Sequence, residues 1–135
     1  MSFEIYIDTF ENEQSRRIPA SEVAERFSSV IDREHLGYWK LTFQEGPSYA
    51  EIAVPRESMI QGFVVHNPPP YLEFWKVIAG FLKDLNCVLY WPGGGAVIAR
   101  LEVLAELPKD MVETLGIPWV TTDPEQIRKY VGKSQ

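Results

Sequence analysis

One cysteine and two histidines in 135 residues leave little material for several familiar chemistries. Cys87 alone cannot close an intrachain disulfide, which excludes a disulfide-stapled secreted scaffold. A zinc site of the usual kind would have to recruit carboxylates, so no metal and no cofactor is expected. Cations are scarce as well: 13 Lys and Arg stand against 19 Asp and Glu, for a net charge of -6 and a pI near 4.9. That balance argues against nucleic acid as the partner, because phosphate-backbone binding depends on clustered cations. No apolar run approaches the roughly 20 residues that span a bilayer. The opening Met1-Ser2-Phe3-Glu4 shows no basic segment followed by an apolar one, so neither export nor a membrane partner is signalled and a cytoplasmic location is expected. Internal repeats and low-complexity linkers are missing too.

What is present suits one globular unit. Hydrophobic residues make up 45% and charged residues 24%, close to the soluble average, and the length fits a single domain over 1–135. Residues 3–10 alternate Phe3, Ile5 and Ile7 with Glu4, Tyr6 and Asp8, the period of a half-buried strand. A polar loop over 11–17 separates it from Val23, Phe27, Val30 and Ile31, whose spacing predicts an amphipathic helix over about 20–31. Strands are expected over 38–44, with Trp39, Leu41 and Phe43 inward, over 49–54 with Ala50, Ile52 and Val54 inward, and over 60–65. Pro68-Pro69-Pro70 removes three backbone donors in succession and ends the sheet segment.

Tyr71, Trp75, Ile78, Leu82 and Leu85 then fall on one face of a central helix running to about Asn86. Strands over 87–91 and 96–101 flank Pro92-Gly93-Gly94-Gly95, read as a turn between paired segments. A short helix from Pro108 to Gly116, an edge strand over 118–121 and a last helix with Asp123 as N-cap and Gln126 completing a capping box close the chain. Runs of neighbouring strands broken by helices favour an α+β domain, a mixed or mostly antiparallel sheet packed by about four helices.

No constellation announces catalysis. The glycine turn lacks a following Lys-Ser/Thr pair and a GxGxxG spacing, so a phosphate loop is not supported. His66 and Cys87 both border predicted strands, but a thiolate nucleophile needs a nearby base, and an inert buried cysteine is the simpler account. Glu11 with Glu13, Glu102 with Glu106, and the acids beside His35 lack an apolar setting; the first four suit a solvated face and 32–35 a solvated helix end. Aromatic residues are 13% of the chain. Tyr6, Tyr38 and Tyr49 sit on the polar side of their strands, where they could form an exposed strip with Glu4, Asp8 and Glu51 if those strands are neighbours.

Residues 3–13 with Ile18-Pro19, the centre Val88-Leu89-Tyr90-Trp91-Pro92-Gly93, and the later Leu107-Pro108-Lys109-Asp110-Met111 and Leu115-Gly116-Ile117-Pro118 resemble a group of small bacterial proteins with an FENGE-type opening and a VLYFPG-type centre. The resemblance covers nearly the whole chain, departs at Gln14, Trp91 and Gly94, and carries over no catalytic residue. By analogy only, small acidic bacterial proteins include immunity-like partners of toxins. The expected function is a non-enzymatic module that binds another protein through an acidic, aromatic surface, with Tyr6, Tyr38, Tyr49, His66, Asn67 and Trp91 as candidate contacts. The alternative is a small-molecule binder or enzyme with a pocket bounded by His66, Asn67, Cys87 and Gly93 to Gly95. A homodimer through an uncovered strand edge is a third possibility.

Overall fold

The computed structural model describes residues 3–35 and 37–133, leaving aside the side chain of His35. Its frame is an eight-stranded sheet built from β1 (Glu4–Asp8), β5 (Ile31–His35), β6 (Tyr38–Leu41), β7 (Glu51–Ala53), β9 (Gly62–His66), β10 (Val88–Tyr90), β11 (Ala96–Ile98) and β12 (Trp119–Val120). Two short ladders join β2 (Phe10–Glu11) to β3 (Gln14–Ser15) and β4 (Ile18–Pro19) to β8 (Met59–Ile60). The helices are α1 (Ser21–Arg26), α2 (Leu72–Leu85), α3 (Lys109–Leu115) and α4 (Pro124–Gly132), with a 3-10 segment at Leu101–Glu106. In space the strands run β12-β11-β10-β1-β9-β7-β6-β5. All pairs are antiparallel except β11 with β12, so the domain is α+β with a mostly antiparallel sheet.

Alternation along the strands sorts the two faces. Ile5, Ile7, Ile52, Phe63, Val65, Leu89 and Val97 point inward and are at most 2% exposed. They pack with Val23 and Phe27 from the α1 region, Phe74, Ile78 and Leu82 of α2, and Ile127 and Val131 of α4. The opposite face carries a smaller cluster at one end only, where Val88, Ala96 and Ile98 meet Val103 and Leu107 of the 3-10 segment and Met111, Val112 and Leu115 of α3. Three helices thus cover one face, while α3 and its neighbour cover the β10–β11 end of the other.

The helix ends explain themselves chemically. α2 stops at Asn86, whose left-handed backbone (φ 54) lets the Cys87 N–H reach back to the Phe81 carbonyl. Arg16 and Arg100 donate to two more carbonyls of that last turn, those of Leu85 and Lys83. At α4 the Asp123 carboxylate accepts from the Glu125 N–H at 3.0 Å, the expected N-cap. Gln126 does not complete a box: its Oε1 accepts from the Thr121 hydroxyl, whose oxygen in turn receives the Asp123 N–H.

Several local expectations are corrected. The first helix is six residues long and stops at Arg26, because Phe27 (φ -96, ψ 5) turns the chain; Ile31 begins a strand. Residues 32–35, expected as a helix end, belong to β5, where exposed Asp32, Arg33 and Glu34 blunt a sheet edge. The expected loop over 11–17 contains the β2–β3 hairpin. Its central Asn12 (φ 52) and Glu13 (φ 64) take the left-handed conformation that two-residue hairpins need, and Glu13 N–H is held by the Glu106 carbonyl. The strand after Gly95 ends at Ile98, and Leu101 and Glu102 enter the 3-10 segment.

Candidate functional site

The part of the outer face left bare by α3 spans β1, β9, β7, β6 and β5, and the ladder registers place its side chains in rows. One row reads Tyr38, Ala53, Val64, Tyr6, Tyr90 across five adjacent strands, roughly 19 Å at about 4.8 Å per strand. The next row reads Lys40, Glu51, His66, Glu4. Tyr6 and Tyr38 thus share a row, but β1 and β6 are not neighbours: Ala53 and Val64 lie between their rings. Tyr38 is 39% exposed, and its ring centroid is 5.6 Å from that of His66. His66 Nδ1 lies 3.3 Å from Glu4 Oε1. Tyr49 is 82% exposed but precedes β7, so it stands apart from this row.

Asp8, expected as part of an exposed acidic strip, is instead paired with Tyr90, which the sequence did not single out. Tyr90 donates its hydroxyl to Asp8 Oδ2 at 2.6 Å, and the Tyr6 ring stacks on Tyr90 at 5.3 Å. Burial raises the Asp8 carboxyl above its ordinary value, and the Tyr90 hydrogen bond lowers it in part. Burial, then the bond to Asp8, pushes the Tyr90 phenol up, so it stays a donor. Beside them a shallow hollow of about 350 Å³ is lined by Asp8, Ala53, Val54, Gly62 and Val64. Here a half-buried carboxylate and an apolar floor lie side by side, next to the Tyr6–Tyr90 pair.

The raised carboxyl has a consequence for stability. The folded state holds a proton on Asp8 more readily than the unfolded chain, so wild-type stability is lost as pH climbs from near 3.8 through the raised folded value. Asp8→Asn keeps an acceptor for Tyr90 and removes the charge. The variant is expected to melt above wild type at pH 7, with the gap closing as pH falls to about 4; a gap that stays constant or widens on acidification contradicts the assignment.

The alternative pocket is not assembled. Glu4 pairs with His66 and Asp8 with Val88, four residues apart on β1, which separates His66 from the Cys87 end by roughly 13 Å. Cys87 is moreover 1% exposed in the inner core, and burial pushes its thiol up to about 12, so it is an inert core residue. Trp91 is no surface contact either. It is fully buried, its ring parallel to Trp119 at 6.0 Å, and Trp119 stacks on Tyr130 at 4.5 Å. The glycine turn packs against these rings: a Cβ on Gly94 would fall 1.6 Å from Trp91 Nε1. Asn67 is exposed with φ 54, its N–H donating to the Phe3 carbonyl. The paired acids Glu11, Glu102 and Glu106 do converge, on a small hollow they share with Arg16 and Arg100.

Among the described residues no group of three His, Cys, Asp or Glu side chains is placed to hold a metal ion, and no helix is long and apolar enough to cross a membrane. The fold and site define an α+β sheet protein with one face covered and the other bare over five strands. No family model, curated protein or solved structure matches the chain.

Proposed function

We propose that the protein is a cytoplasmic, non-enzymatic interaction module that docks a basic protein partner on the bare face of its sheet, in the manner of an immunity protein. The observation that carries this reading is the row holding exposed Tyr38 and half-buried Tyr6 on the bare face beside Glu4, Asp8 and Glu51. Carboxylates speed encounter with a positive surface, and tyrosine rings on a rigid sheet then supply binding energy at little cost in side-chain entropy. The net charge of -6 acts in the same sense over longer range. The grouping with FENGE-type bacterial proteins belongs to the same proposal.

The test is capture from host lysate by the immobilised full chain, compared with Tyr38→Ala/Glu51→Lys. A single partner retained by the wild type and weakened at least about tenfold by the double variant supports the reading. Equal retention by both, or no enrichment over a charge-matched control, overturns it.

A further inference from the structure

We propose that the cleft between Pro68-Pro69-Pro70 and α4, on the side of the molecule away from the bare sheet face, binds a small aromatic carboxylate. At about 670 Å³ it has nearly twice the volume of the two hollows described above and lies in the usual range for small-molecule sites. Its walls are apolar on one side, the proline segment with Trp75, and cationic on the other, where Arg128, Lys129 and Lys133 project from the end of α4. Among the described residues no Asp or Glu lines it. In a chain of net charge -6 that is a local reversal of sign; with Arg128 paired to Glu125, it rests on Lys129 and Lys133, whose charges focus the field in the concavity.

The chemistry of the lining selects among anions. Lys129 and Lys133 are four residues apart, on one side of the helix end. Arg128 binds Glu125 through Nη2 at 2.8 Å, while its buried Nε–H has no acceptor among the described residues. Trp75 is 1% exposed and its indole N–H is given to the Pro69 carbonyl at 2.8 Å, so that residue backs the wall and offers no donor. Tyr130 lines the same cleft and is stacked on Trp119. A flat apolar body would rest against Pro70 and Tyr130, the less buried apolar residues of the lining, with its charge at the lysines. The cleft meets the C-terminal end of α4, whose carbonyl dipoles oppose the lysine attraction for any anion and do so about twice as strongly for a dianion, so a singly charged carboxylate is favoured over a phosphate.

The experiment titrates the full chain with 2-naphthoate at low salt, reading tryptophan fluorescence and backbone NMR shifts. Expected are saturable binding, shifts centred on Lys129, Tyr130 and the Trp75 indole, and binding weaker by about tenfold or more for 2-naphthamide and for Lys129→Gln/Lys133→Gln. Both lysines are exposed, so the double variant keeps its fold, checked by circular dichroism. Equal binding of acid and amide, wild-type affinity in the double variant, tighter binding of naphthyl phosphate, or no saturation by about 10 mM each overturns the proposal.

Discussion

Phe27→Ala is expected to lower the unfolding free energy by about 3–5 kcal/mol, a large share of the roughly 5–15 kcal/mol available to a domain of this kind. Phe27 is fully buried and its ring meets three others: Phe63 edge-on at 5.9 Å, Phe81 stacked at 5.7 Å and Phe74 tilted at 6.1 Å. Phe63 stands on β9, and Phe74 and Phe81 on α2, so removing one ring opens a void where the sheet, the central helix and the α1 turn converge. Those neighbours belong to regular elements and cannot collapse into the space, so the cavity cost adds to the lost transfer energy. Chemical denaturation should show a lower midpoint with an unchanged slope. A loss below about 1.5 kcal/mol would mean that the cluster repacks and is not the centre of the core.

The same residue shows where sequence reasoning succeeds and where it stops. The spacing of Val23, Phe27 and Val30 correctly marks three buried positions, because burial follows periodicity whether the last turn is α-helical or irregular. It cannot say that the helix ends at Arg26, since the Ile31 N–H still reaches the Phe27 carbonyl as it would in a longer helix. Charged Asp32-Arg33-Glu34 then resembles a helix tail in composition, and only hairpin pairing with β6, three to ten residues on, makes it a strand. Long elements such as α2 are legible from their own residues. Two-residue ladders such as β2–β3 depend on contacts with the 3-10 segment far along the chain.

For the bare face, parity along β1 and β6 is enough to put Tyr6 and Tyr38 on the side away from Ile5, Ile7 and Leu41. Parity along residues 87–91 would likewise have turned Trp91 inward with Leu89. The burial of Asp8 is different: it depends on what stands across the ladder, and the partner is a glycine 54 positions away. No local pattern carries that information.

Gly62→Ala is expected to be at least as damaging, roughly 3 kcal/mol or more, although it adds only a methyl group. A Cβ at Gly62 would lie 2.0 Å from Asp8 Oδ1, 2.1 Å from the Ile7 carbonyl oxygen and 2.8 Å from Asp8 Cα. The carboxylate could swing aside, but the other two atoms are backbone of β1, so relief requires parting β1 from β9 at the middle of the sheet. The damage should also reach the bare face. Moving Asp8 breaks its 2.6 Å bond from Tyr90 and disturbs the ring that Tyr6 stacks on. Glycine here is thus a steric requirement of close strand approach rather than of unusual dihedral angles. Thermal unfolding measures the stability cost, and the amide shifts of Tyr6, Asp8 and Tyr90 report the local change. An alanine variant as stable as wild type would show that β1 and β9 have slack at this point, and with it the reason for the half-buried state of Asp8 would fall.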